Sequence, residues 1–517
     1  MSLGEIGATA SHSVLDDIIR NANVEPNRLA AKDLDRALSY AQLIDDTARI
    51  SAGLVELGVS EDDRVALLIP NSVDFLAAAL ACLWVGAVFV PMAVTDPTSR
   101  LERIVADCTP VLIVTADEDA TSSTALRSVR MVPIHQLRRE NRLNLGTRGS
   151  IARVAYMIYT SGTTGAPKGV QISNTAFAAA VHSTAEVLAL SGATKMLCVS
   201  PFHFDGAYAN LFPTLVSGGT VVMRPRDALL FPRLFFNTVS QEEITHSGFT
   251  PSYLRLLLAS RQLSELADST LEVIALGGEA FTVADLRSLW SRVPALRVFN
   301  RYGPTETTIA VTNVELTPGM VEGGRITIGR PHPGVSFVLV DEEGQVVDEA
   351  NRTAELYVGG VQLMDGYWAD PVLTQEVLRS DVVSGMTLYR TGDLVYRDES
   401  DNYFYVDRAD RVVKRSGVRI SLVELSSLIS QIDGVVSAAC VTFDWDGGLG
   451  IVAFVVTDVE LTDVEVRRAA RELIPENMLP DRIERVATMP LNRSNQLDET
   501  RLLAEAGLRP LRPISAK

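Results

Sequence analysis

The sequence predicts an α/β fold: a large N-terminal domain of mixed and parallel sheets sandwiched by helices, with a β-rich subdomain, followed by a small α+β unit. Three observations carry this. Short β-rich apolar runs alternate with amphipathic stretches over the first 300 or so residues, the pattern of crossover units and mostly parallel sheets. After about residue 311 the runs become closely spaced and separated by Gly/Asp turns. From 411 onward helices and strands alternate in a short α+β pattern.

The elements follow in order. RVALLIP (64–70), VLIVT (111–115), VAYMIYT (154–160), KMLCVS (195–200), TVVM (220–223) and VIALGG (273–278) read as strands, with helical patterns such as 172–190 and 251–263 between them. Phe75–Val94 has no charge and is long enough to span a membrane, but Gly86-Ala87 and Pro91 divide it into a helix and a short strand, so a buried helix–strand pair is expected. FVLVDEEGQVV, AELYVGG, MTLYRTGDLVYRD and NYFYVDR form the β-rich part, about 311–409. LVELSSLISQ and DVEVRRAARELI are expected as helices and SAACVTF and IVAFVV as strands of the closing unit.

Composition narrows the function. With 517 residues, 47% hydrophobic and 21% charged, the chain is globular. A net charge of −17 argues against nucleic acid, whose phosphates need a basic face. Four scattered cysteines (Cys82, Cys108, Cys198, Cys440) exclude a Cys-rich zinc site and fit a reduced cytoplasm. The first residues carry no basic start followed by an apolar run, so no signal peptide is read and no membrane partner is expected. Only five lysines are present, so Lys168 and Lys414, both inside motifs, carry information.

The most informative segment is Tyr159–Gly169, YTSGTTGAPKG, directly after a predicted strand. Glycines and small hydroxyl residues free backbone amides to face one anion, Ser161, Thr163 and Thr164 can donate to phosphate oxygens, and Lys168 adds a point charge. A Walker A loop would need G-x-x-x-x-G-K-[ST], which is absent here. The segment resembles the phosphate loop of the adenylate-forming superfamily: acyl-CoA synthetases, luciferases and the adenylation domains of nonribosomal peptide synthesis. LSYAQL (38–43), GAVFVPM (86–92), NRYGPTET (300–307), AELYVGG…GYW (354–368), YRTGDL (389–394) and DRADRVVKRSGVRI (407–420) match in the family's order, so the resemblance covers about residues 38–498.

The resemblance implies ATP and Mg²⁺. These enzymes join a carboxylate to AMP, expel pyrophosphate and pass the acyl group to a thiol, which brings one anion onto another and requires neutralised phosphate charge. It implies that Thr160, Ser161, Gly162, Thr163, Thr164, Gly165 and Lys168 hold phosphates. Thr305 would meet the α-phosphate, and Glu306 would hold Mg²⁺ with Thr164 nearby. Tyr302, flanked by Asn300 and Gly303, would stack on adenine beside the Gly277-Gly278-Glu279 turn. Asp393, assisted by Arg408, would accept from the ribose hydroxyls. Asp410 would be the hinge between a core of residues 1–409 and a mobile unit of 410–517, whose Lys414–Gly417 would face the thiol.

One position departs from the family. The C-terminal signature resembles P-L-T-x-N-G-K-x-D, and here Pro490-Leu491-Asn492-Arg493-Ser494-Asn495-Gln496-Leu497-Asp498 places Gln496 where the catalytic Lys belongs. Gln keeps a hydrogen bond and loses the charge, a loss on the order of 10²–10³-fold in rate. Three explanations stay open: a natural divergent enzyme with Arg493 or another base substituting, an engineered slow variant, or a non-catalytic binder of nucleotide or adenylate.

For the acid, Phe204-Asp205-Gly206-Ala207 resembles the F-D-x-S whose Asp holds a substrate ammonium in amino-acid-activating relatives; the other reading of Asp205 is a helix cap. His203 instead resembles a feature of acyl- and aryl-CoA ligases. By the resemblance, Gly206, Ala209, Gly248, Ile274, Leu276, Arg301, Ile309 and Ala310 line the pocket. Arg301 is unusual there and implies either a second carboxylate on the substrate or an internal pair with Asp205. The expected function is therefore activation of an amino acid, with β-amino and dicarboxylic acids among the candidates, and transfer to the phosphopantetheine of a separate carrier protein in secondary metabolism. An acyl- or aryl-CoA ligase using CoA is the alternative. No D-S-L-type carrier motif is read in the chain.

Overall fold

A computed structural model describes residues 13–118, 123–143, 153–160, 167–225, 231–279, 281–322, 325–408, 412–446, 448–457, 461–490 and 497–511. Two large sheets dominate. The first has eight strands in the order Thr312–Leu316, Arg297–Tyr302, Val273–Gly277, His246–Phe249, Lys195–Cys198, Thr220–Met223, Leu29–Lys32 and Ala37–Ser39. Its six inner strands are parallel and the two outermost pair antiparallel. The second has seven strands, with Val154–Thr160, Val88–Pro91, Arg64–Leu68, Leu112–Thr115 and Met131–Pro133 parallel, and Lys168–Ser173 and Gly366–Tyr367 added antiparallel at one edge.

Helices Tyr40–Glu56, Val73–Val85, Asn174–Val187 and Tyr208–Val216 share one apolar core with residues of both sheets. Val73–Val85 shows why the uncharged stretch is not a membrane span. Every residue of the helix except Asp74 is buried, and Asp74 pairs with Arg36 and Arg138. Gly86, at φ 79°, ends the helix in the left-handed conformation that glycine adopts without a Cβ clash, and the chain turns into Val88–Pro91. Among the described residues no helix is long and apolar enough to cross a membrane.

The β-rich part is one antiparallel sheet of Val335–Val340, Ala354–Gly360, Leu388–Arg397, Leu378–Arg379 and Tyr403–Arg408. The last part comprises the hairpin Val412–Arg415/Val418–Ser421, a sheet of Val435–Trp445, Gly448–Thr457 and Arg482–Arg485, and helices Leu422–Ile429, Asp463–Arg471 and Glu499–Glu505. It packs a core of its own, against which Phe204 of the preceding part is half-buried. Two element expectations shift. The stretch 172–190 opens as the end of strand Lys168–Ser173 before helix Asn174–Val187 begins on the Ser173 cap, and 251–263 divides into helix Pro251–Leu258 and a 3₁₀ segment from Arg261.

Candidate active site

A cavity opens at the carboxyl ends of the parallel strands of the eight-stranded sheet, where Phe249, Gly277 and Gly303 leave or follow them. Its walls include Thr160, His203, Asp205, Gly206, Gly248, Thr250, Ala275, Gly277, Gly278, Arg301, Gly303, Thr305, Ile309 and Arg408. Lys414, Ser416, Gly417 and Val418 of the C-terminal hairpin close one side. Asp96, Arg100, Pro475, Asn477 and Met478 also line it.

The segment after strand Arg297–Tyr302 shapes the centre. Gly303 is forced, because a Cβ there would lie 2.7 Å from the Ala310 Cα. Thr308 and Ile309 hold left-handed φ values of 59° and 67°, a strained arrangement that neighbouring contacts must maintain. Gln362 supplies them: its Nε2 donates to the carbonyls of Ala310 (2.7 Å) and Thr308 (3.2 Å), and its own carbonyl accepts from the Thr308 hydroxyl at 2.7 Å. Glu306 is fully buried. Its Oε1 accepts from the Tyr367 hydroxyl at 2.8 Å, that hydroxyl accepts from Lys168 Nζ at 2.9 Å, and the ammonium stands 3.9 Å from Glu306. Lys168 and Glu306, 138 positions apart in sequence, thus meet through a tyrosine.

Asp205 makes no cap bond in the 3₁₀ turn Asp205–Ala207, so the helix-cap reading fails. Burial first, then the negative charge of Glu306, pushes its carboxyl up to about 6, against the pull of Thr305, Lys414 and Ile309. Its Oδ2 is buried with no partner. Arg301 is not paired with it: Nε donates to Asn313 Oδ1 at 3.1 Å and Nη1 to Asn210 Oδ1 at 3.3 Å.

Several expectations are corrected. Ile274 and Leu276 belong to the apolar core behind the sheet, and Ala275 faces the cavity in their place, because successive strand residues alternate faces. Ala209 and Ala310 are fully buried in the core between the sheets and do not line the wall. Tyr302 donates its hydroxyl to Asp393 Oδ2 at 2.5 Å, and Arg408 donates to Asp393 Oδ1 at 2.6 Å. Asn300 is buried and donates to the Thr327 carbonyl. Glu279 is committed to the C-terminal hairpin, accepting from the Gly417 N–H at 2.9 Å and from the Ser252 N–H at 2.9 Å. Ser161, Gly162, Thr163, Thr164, Gly165, Asp410, Arg493 and Gln496 lie outside the described residues.

Sequence reading missed Gln362, Asn210, Asn313 and His332, and gave Tyr367 no role although GYW was a quoted motif. Tyr367 is the one with a signal, an aromatic hydroxyl in a motif already in hand.

The chemistry of Glu306 suits a magnesium ion, which it would hold as one carboxylate ligand. It is a buried carboxylate, and the described residues hold no group of three or more His, Cys, Asp or Glu that could cage a metal alone.

The AMP-binding enzyme family matches residues 18–368. The chain is 31% identical over 481 residues to surfactin synthase subunit 1 of Bacillus subtilis (strain 168), covering 91% of this chain but only 13% of that relative's length. It is 29% identical over 507 residues to the L-proline–[L-prolyl-carrier protein] ligase of Streptomyces coelicolor, covering 92% of this chain and 94% of the other. The crystal structure of IdnL1 superposes with a TM-score of 0.81 at 28% identity, covering 94% of this chain and 100% of that one. With the family match spanning most of the chain and the motif order agreeing, the protein belongs to the AMP-binding enzymes of the adenylate-forming superfamily.

Proposed function

We propose that the chain is an acid–thiol ligase that activates an amino acid as its acyl-adenylate and passes the acyl group to a phosphopantetheine thiol on a separate carrier protein. The observation that carries this is Asp205. Its Oδ2 is buried, unpartnered and on the cavity wall beside Thr305. A buried carboxylate oxygen without a donor is unfavourable, and a substrate ammonium removes that penalty.

In the first step a carboxylate oxygen attacks the α-phosphorus of ATP, the bond to the β-phosphate oxygen breaks, and pyrophosphate leaves. Lys168 and Thr160, whose Oγ1 is buried with no partner, supply a charge and a donor for phosphate oxygens. Glu306 would hold Mg²⁺, which offsets phosphate charge when bound. In the second step a thiolate sulfur attacks the acyl carbon and AMP leaves. His203 on the wall keeps an acyl- or aryl-CoA ligase as the second reading.

ATP–pyrophosphate exchange over a panel of amino acids and their deaminated analogues tests this, run on the chain and on Gln496→Lys, followed by loading of a holo-carrier protein or CoA. Exchange is expected only with acids that bear an amine, and faster by about 10²–10³-fold in the lysine variant. Exchange confined to fatty or aryl acids, with loading of CoA, refutes the amino-acid reading. No exchange by either chain refutes the enzyme.

A further inference from the structure

Arg301 is 8% exposed and lines the cavity. Two of its three nitrogens are held by neutral amide oxygens, Asn313 at 3.1 Å and Asn210 at 3.3 Å, and Nη2 is buried with no partner. Among the described residues no carboxylate pairs with the guanidinium. A buried cation without an anion is unfavourable by several kcal/mol on an order-of-magnitude scale, so its retention needs a reason outside the apo chain.

The surroundings are built to hold it. The Asn210 amide nitrogen donates to the Gly248 carbonyl at 3.0 Å, which fixes its oxygen toward Arg301. A Cβ at residue 248 would lie 2.2 Å from that oxygen, so the glycine makes room for the cradle. The Asn313 amide nitrogen donates to His332 Nε2 at 3.0 Å, and His332 Nδ1 then donates to Gln362 Oε1 at 3.1 Å. Burial and the Arg301 charge lower the His332 pKa, which keeps the ring neutral and able to accept. Both amides are thereby locked with oxygen toward the arginine, and Nη2 is left buried without a partner. Burial pulls the guanidinium down to about 10, still charged at neutral pH. Asp205, on the same wall, leaves one carboxylate oxygen equally unpartnered.

We propose that Arg301 is a specificity-determining residue that takes a second carboxylate of the substrate, so that the acid activated is a dicarboxylic amino acid with its ammonium on Asp205 and its spare carboxylate on Arg301. This rests on the amino-acid reading above and narrows it. A neutral amide in place of the spare carboxylate forfeits the charge and presents its own N–H groups to a donor, and sites built around a buried polar group reject such analogues strongly.

The test is pyrophosphate exchange, with calorimetric binding beside it, for aspartate, glutamate and α-aminoadipate against asparagine, glutamine, alanine, succinate and glutarate. It is run on the full chain and on Arg301→Met and Arg301→Lys. At least one amino diacid is expected to exceed its amide by at least about 10²-fold. Arg301→Met should lose that preference, and Arg301→Lys should keep part of it. Amides that serve as well as the diacids overturn the role of Arg301 and leave the amino-acid reading standing. Succinate or glutarate serving as well as the amino diacids overturns the amino-acid reading and leaves Arg301 standing. Neither exchange nor binding by any acid on the panel overturns both.

Discussion

On the proposal that the C-terminal part packs as seen here for thiol transfer and swings away for adenylation, replacing Gly417 by alanine should slow thiol transfer and spare adenylation. Gly417 sits at φ +77°, and an added Cβ would lie 2.6 Å from Thr250 Cγ2. The left-handed backbone strain of alanine belongs to the hairpin turn itself and is present wherever the C-terminal part sits, so it cancels from the packing equilibrium. The clash does not cancel. Ordinary contact begins near 3.4 Å, so either Thr250 or the hairpin must move by most of an ångström. Overpacking of this size costs about 1–3 kcal/mol, roughly 5- to 150-fold in the population of the packed arrangement. Single-turnover loading of a carrier protein should fall by that factor, with pyrophosphate exchange unchanged. Thr250→Ser removes the clashing methyl and keeps the hydroxyl that bonds Ser252 at 2.9 Å, so the double variant should recover most of the loss. Equal losses in exchange and transfer, or no rescue by serine, would refute the reasoning.

Two further outcomes follow from the site. With the Asp205 carboxyl pushed up to about 6, its protonated form is neutral and cannot hold an ammonium, so the KM for an amino acid should rise about tenfold per unit as pH falls below 6 and level off above 7. Asp205→Asn should flatten that profile; a flat profile in the unaltered chain argues against the assignment. Tyr367→Phe removes the hydroxyl between Lys168 and Glu306, and loss of hydrogen bonds to charged groups of about 1.5–3 kcal/mol should slow exchange by roughly 10- to 100-fold, with KM for ATP raised more than KM for the acid. An unchanged rate would show that the bridge is dispensable.

Much of this was legible in the chain because the information is local. Gly86 and Pro91 divide an uncharged stretch into helix and strand, and closely spaced Gly/Asp turns announce the antiparallel sheet of Val335–Val340 to Tyr403–Arg408. Arg301 is conspicuous in sequence beside Tyr302, and one of its nitrogens is buried without a partner. Its supports were not legible. Asn210, Asn313, His332 and Gln362 are ordinary polar residues scattered over 150 positions, and only the sheet pairing of Arg301 with Asn313 and the packing of helix Tyr208–Val216 bring them together. The pocket positions carried over by resemblance missed by one residue on Val273–Gly277, and in a strand one residue is the difference between two faces.

That alternation has an evolutionary reach. Along Val273–Gly277, Ile274 and Leu276 pack into the core behind the sheet, while Ala275 and Gly277 line the cavity. Ala275 can therefore drift toward bulk or polarity, trimming which acids are accepted, while Ile274 and Leu276 go on anchoring the sheet unchanged. A lineage of such proteins can alter its diet at one strand position while the opposite face of the same strand goes on holding the scaffold.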